Sequence, residues 1–162
     1  MNRPFLNRLL VSQAPAATLL VRMMVGSVFL EEGLQKLLFA DLLGAGRFAR
    51  IGMPAPEAMG PLVGGVEIVC GAFILVGFLT RVAAVPLLIT ISTAIVATKI
   101  PILLGHDYWG FHVARLARYG WWSMASEART DFSMLLGLLF LLIAGAGRWS
   151  FDAVLSKRKG DP

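Results

Sequence analysis

Residues 21–39 read VRMMVGSVFLEEGLQKLLF. The stretch is apolar and nearly as long as the roughly 20 residues that cross a bilayer's hydrocarbon core. Yet it carries Arg22, Glu31, Glu32, Gln35 and Lys36. A charge at mid-helix costs about 2.5–3.5 kcal/mol on insertion scales. Pairing lowers that cost, so these groups call for partners.

The rest of the chain offers somewhere to find them. Its 162 residues are 57% hydrophobic, with a mean hydropathy of +0.72, well above a soluble domain. Four long apolar runs cover about 16–39, 61–79, 82–104 and 131–147. They lack barrel-like alternation, and lipid satisfies no free backbone group, so helices are expected. The pattern predicts an all-α, polytopic membrane protein: one domain over 1–162, folded as an antiparallel four-transmembrane-helix bundle. The basic N-terminus MNRPFLNRLL has no small-residue cleavage site, so no removable signal peptide is expected. Cys70 is the single cysteine, which excludes an intramolecular disulfide and a C-x-x-C pair.

The connections differ in kind. FLTRVA around Arg81 is very short and predicts a tight helix pair. Residues 41–60 hold Gly44, Gly46, Gly52, Pro54 and Pro56 and read as a shaped loop. Residues 105–130 hold His106, His112, Tyr108, Trp109, Tyr119, Trp121 and Trp122. This segment reads either as an interfacial aromatic belt or as an ordered lid, with a short amphipathic helix over 113–119. His106 and His112 are six apart and make no helical zinc pair, so no metal site is expected.

With four spans, both termini share one side with Arg3, Arg8, Arg81, Arg148, Lys157, Arg158 and Lys159. The opposite loops carry Arg47, Arg50, Arg115, Arg118 and Arg129. The bias predicts cytoplasmic termini in a bacterial inner membrane. The net charge of +5 sits at helix ends and tails, so lipid headgroups explain it and nucleic acid does not.

The polar residues then converge. Glu32 lies roughly 10 Å and Glu67 roughly 9 Å below the outer end of their spans at 1.5 Å per residue. Helical phase groups Arg22, Gly26, Glu32, Gly33 and Lys36 on one sector about 120° wide. Glu67 shares a face with Gly60, Gly64 and Gly71, a close-packing pattern in membrane helices. Glu67 should therefore face the interior and meet Lys36, Lys99 or Arg129. The candidate ligand pocket is Glu32, Gln35, Lys36, Glu67, Lys99, His106, Arg129 and Asp131. The inner end is expected to hold Arg22, Arg81 and Arg148 with no buried acid. Two plainer readings stand beside this one: ion pairs that only set helix register, and lysines that snorkel to the surface.

FLEEGLQKLLF, GAGRFARIGMPAP, VGGVEIVCGAFILVGFLTR, TKIPILLG and EARTDFSMLLGLLFLLIAGAGRWSFD occur in an order and spacing that resemble the DoxX family of small bacterial membrane proteins. The resemblance spans nearly the whole chain. It implies four transmembrane helices and marks Gly33, Gln35, Lys36, Glu67, Arg81 and Asp131 as motif positions. Where many relatives have a histidine before the first-helix glycine, this chain has Glu32. Some relatives resemble the membrane subunit of a thiosulfate:quinone oxidoreductase, and others are linked to membrane-associated redox complexes in oxidative-stress defence. Distant ones are assembly or trafficking factors.

The resulting expectation is a membrane subunit of a quinone-linked or thiol/sulfur-linked redox complex. Glu32 or Glu67 would move protons, and Lys99 or Arg129 would stabilise a developing anion. The chain has no flavin, haem or iron–sulfur motif, so a soluble redox partner would bring electrons to the quinone. The alternatives are a non-enzymatic scaffold or assembly factor, and a small-solute or lipid transporter, which with four spans would need a homo-oligomer.

Overall fold

In the computed structural model, residue 12 and residues 14–158 are described. Arg3, Arg8 and Lys159, and the side chains of Lys157 and Arg158, lie outside the described residues. Among the described residues the fold is all helical, with one isolated bridge between Tyr108 and Phe111.

Helix α1 is Thr18–Leu38, and the short α2, Ala45–Arg50, follows in the first connection. Helix α3, Pro56–Val76, starts five residues before the expected 61. Pro56 opens it with a fixed φ and no N–H to lose, and Glu57 faces the positive end of the helix dipole. Pro61 is thus carried inside the helix and does not begin it. Gly77 ends α3 at φ +71°, with Gly77 N–H on Ile74 O and Phe78 N–H on Phe73 O. That C-terminal motif relies on glycine's left-handed freedom.

The third apolar run is one continuous helix, Thr80–Leu104, in three parts. Helix α4, Thr80–Ala94, passes into a π-helical turn, Ile95–Lys99, and then α5, Ile100–Leu104. Pro101 supplies the reason. It has no N–H, and its ring would crowd the carbonyl four residues back. The wider π turn relieves that crowding, with Ile100 N–H reaching Ile95 O. Helix α6, Trp121–Glu127, leads into α7, Arg129–Ala144, and α8 is Phe151–Arg158.

The amphipathic helix expected over 113–119 is absent, and the helix forms later, at α6. The Leu116 N–H, which such a helix would direct to His112 O, is accepted instead by Tyr119 Oη, and Asp107 Oδ1 accepts the Val113 N–H at 2.8 Å. Nor do the indoles of this region bury themselves as a lid's would: Trp109 and Trp122 are each 85% exposed.

Helix α1 packs on α3, α3 on α4, α4 on α7, and α7 back on α1. Their shared core includes Val25, Phe29, Ile74, Leu87, Met134 and Leu138. The α1–α3 crossing is set by glycines. A Cβ on Gly33 would lie 2.6 Å from Gly64 O, and one on Gly71 would lie 3.0 Å from Gly26 O. Two heptad-spaced glycine pairs thus meet in antiparallel register, and the backbones touch where any side chain would hold them apart.

Two helices, Pro56–Val76 and Thr80–Leu104, are long and apolar enough to cross a membrane. The long helices carry exposed apolar side chains on their outward faces, among them Leu20, Leu38, Ile89 and Ile143.

The end that holds residue 12 and α8 corrects one expectation: it has a buried acid. Asp152 is 1% exposed. Its Oδ1 accepts the Leu79 N–H at 2.8 Å and its Oδ2 the Thr80 N–H at 3.1 Å, capping α4 from a distant segment. Burial pushes this carboxyl above its ordinary range, while the two N–H groups and Arg22 pull it back. Arg22 is also buried. It donates from Nε to Ile74 O at 2.9 Å and from Nη2 to Leu75 O at 2.6 Å, closing the carbonyl end of α3. Its Nη1 reaches Ala146 O and Trp149 O, which ties in the segment before α8. Arg81 does the same for α7, through Leu142 O and Ile143 O.

Candidate functional site

The opposite half of the protein contains a cavity of about 500 Å³. Its walls come from α1, α2, α3, the continuous third helix, α6 and α7. Phe29, Val63, Val66, Ile91 and Met134 give it an apolar body. Its charged lining is Glu32, Lys36, Arg47, Glu67, Lys99, Glu127 and Asp131.

Each lysine sits where the sequence geometry puts it and reaches inward. Lys36 is one turn after Glu32 on α1, and beside the Gly33–Gly64 crossing, so the close backbone approach brings Glu67 within reach. Lys36 Nζ lies 3.0 Å from Glu32 Oε2 and 2.8 Å from Glu67 Oε2. Lys36 and Glu67 are both buried. The second contact is an ion pair by distance without hydrogen-bond alignment, since Glu67 Oε2 has no well-directed donor among the described residues. On the far wall, the π turn ends at Lys99 and turns it toward α7. Lys99 Nζ lies 3.1 Å from Asp131 Oδ2. Both lysines are buried and paired, so neither snorkels.

Five of the eight residues picked from sequence therefore line one cavity: Glu32, Lys36, Glu67, Lys99 and Asp131. The other three do not. Gln35 donates to Glu31 Oε1 at 2.9 Å on another face of α1. His106 Nδ1 lies 2.8 Å from Asp107 O in the loop. Arg129 turns back to Ser126 O at 2.9 Å. Depth put these three at the right level, but direction carries them elsewhere. The sequence reading missed Arg47 and Glu127, which line the cavity from short helices in the two long connections.

Outside the cavity, Asp107 organises the loop. His112 Nδ1 lies 2.8 Å from its Oδ2, and His112 N–H donates to Ile51 O, which joins the two long connections. The Val113 N–H and His112 hold the Asp107 carboxyl below its ordinary range. Among the described residues no group of histidine, cysteine and acidic side chains is arranged to hold a metal ion.

A family model described as DoxX matches residues 17–100. This chain belongs to the DoxX family. The match takes in Glu32, Lys36, Arg47, Glu67 and Lys99, whereas Asp131 lies beyond it. The chain is also similar to a protein of Mycobacterium tuberculosis (strain ATCC 25618 / H37Rv), "Uncharacterized membrane protein Rv3486". The two are 53% identical over 151 residues, covering 93% of this chain and 88% of that protein. No solved structure matches the chain. As a DoxX-family chain with a relative described as a membrane protein, it is a membrane protein.

Proposed function

We propose that this protein is the membrane subunit of a quinone-linked redox complex, with the cavity as its quinone site. The reading takes α1, α3, the continuous third helix and α7 as four antiparallel spans of one domain. Both termini then lie on the cytoplasmic side of a bacterial inner membrane. Supporting the four spans are their mutual packing and their exposed apolar faces.

The observation that carries the functional reading is the mixed lining of the cavity. Beside its apolar side chains, ionic groups from all four long helices face it. A quinone asks for that combination: a flat apolar ring, a prenyl tail that stays in lipid, and carbonyl oxygens that accept hydrogen bonds. Lys36, Lys99 and Arg47 bring positive charge to the cavity, and the carboxylates of Glu32 and Glu67 are there to hold and release protons. Quinone reduction to quinol takes up two electrons and two protons. The electrons come from a soluble partner, because the chain carries no motif for a redox group of its own.

The test is purification in mild detergent from bacterial membranes, followed by solvent extraction and quinone quantification. Stoichiometric quinone is expected, and it should be lost in Glu67→Gln and Lys99→Met proteins that elute as folded species. Quinone no higher than in an unrelated membrane protein from the same membranes would sink the proposal. A scaffold role is the second reading. It draws on the exposure of Trp109, Trp121 and Trp122, which would dock another protein and leave the ion pairs to set helix register.

A further inference from the structure

The cationic side chains of the cavity are not equivalent. Lys36 is spent: two carboxylates share its ammonium, and a third contact reaches Glu32 O at 3.5 Å. Lys99 has its charge matched by Asp131. Arg47 differs. Its guanidinium has no hydrogen bond or ion pair among the described residues, and it feels Glu67 only as a neighbouring charge. An arginine carries five N–H donors in a fixed planar fork. Arg47 is partly exposed and lines the cavity, so all of these donors are open to an incoming acceptor.

The short helix around Arg47 is firmly placed. Ala45 and Phe48 of α2 are buried. A Cβ on Gly60 would lie 2.7 Å from Ala45 N, so α2 sits directly on the first turns of α3. Three residues along the same helix, Arg50 shows what a structural arginine looks like here. Its Nη1 and Nη2 donate to Asp41 O at 3.1 Å and Leu42 O at 2.5 Å, fastening the connection. The two arginines share a helix and differ in whether their donors are used.

Charge then narrows the ligand. The lining carries the acids Glu32, Glu67, Glu127 and Asp131 against the cations Lys36, Arg47 and Lys99. Lys99 and Asp131 cancel, and Lys36 offsets one of its two carboxylates, so an incoming anion would find Arg47 set against two unmatched carboxylates, one net negative charge with all of them ionised. A dianion such as a sulfur oxyanion is repelled. A neutral carbonyl oxygen accepts a charge-assisted hydrogen bond from the fork at no such cost.

We infer that Arg47 is the residue that grips the ligand, and that the ligand is a neutral carbonyl acceptor of the quinone class and not a sulfur oxyanion. This rests on the cavity being a quinone site. The test is titration of the purified, lipid-reconstituted protein with a short-tailed benzoquinone, with thiosulfate in large excess as competitor. Arg47→Gln should raise Kd about tenfold or more, equivalent to about 1.4 kcal/mol. Arg50→Gln should leave it unchanged, and thiosulfate should not displace the quinone. Wild-type affinity in Arg47→Gln would overturn the role of Arg47 and leave the quinone site standing. Displacement by thiosulfate would overturn the ligand class. A wild-type protein that binds no quinone would remove the site and this inference together. If Arg47→Gln does not fold, Arg47→Lys carries the test, since it keeps the charge and loses the fork. Its affinity should fall severalfold, and an unchanged value refutes the proposal.

Discussion

Lys36 Nζ sits 2.8 Å from Glu67 Oε2, across the point where the backbones of α1 and α3 touch. The pair spans two helices, both partners are buried, and the same ammonium also holds Glu32. Lys36→Met would leave the Glu67 carboxylate buried without its counter-charge. Breaking one side of such a pair costs about 3–5 kcal/mol. Replacing both partners by apolar groups of similar volume is often close to neutral. Denaturation in detergent should therefore rank Lys36→Met as far less stable than the Lys36→Met/Glu67→Met double variant. Equal losses in the two would show that the pair is not coupled.

Gly33 and Gly65 make a matched comparison on the two helices of this crossing. A Cβ at Gly33 would meet Gly64 O at 2.6 Å, a backbone atom that cannot swing aside. Gly33→Ala should lose about 1–3 kcal/mol through overpacking. At Gly65 nothing lies within 4 Å. Gly65→Ala should gain up to roughly 0.5–1 kcal/mol, because alanine gives up less backbone freedom in a helix. Opposite shifts in melting temperature are expected, and a shared direction would contradict the crossing.

Much of this architecture was legible in the sequence because it depends on local periodicity. The four apolar runs all fall on helices, and the glycine-lined face of α3 turns Glu67 inward as its phase requires. What escaped depends on tertiary direction. Gln35, His106 and Arg129 share a depth with the cavity but point away from it. Arg47 sits in a glycine-rich connection that gave no sign of a helix aimed at the cavity. Asp152 caps amides more than seventy residues away, and no spacing rule announces such a bond.

The Asp107 cluster supplies a pH test outside the spans. Its carboxylate is held below the ordinary range, first by the Val113 N–H and then by His112. A depressed folded value means that its stabilisation is present above the usual carboxylate pKa of about 3.9. It is lost as pH falls through the lower folded value. Hydrogen exchange at the Val113 amide, corrected for its intrinsic pH dependence, should stay protected at neutral pH and lose protection in that acid range. Asp107→Ala should remove the protection at every pH. Protection that survives in Asp107→Ala would mean another group holds the loop.

Asp152 joins the last helix to the start of α4, and its loss should be felt there. In Asp152→Ala the Leu79 and Thr80 N–H groups lose their acceptor at a buried helix start. Removing an N-cap costs about 0.5–2 kcal/mol. The neighbouring buried Arg22 keeps its four carbonyls but loses a nearby negative charge. The expected result is a drop in melting temperature together with faster amide exchange at Leu79, Thr80 and along α8, while the cavity at the other end is unaffected. Asp152→Asn should fall between the two, because its single carbonyl oxygen can serve one of the two N–H groups. An Asp152→Ala protein as stable as the wild type, with unchanged exchange at Thr80, would mean that α8 does not hold the start of α4.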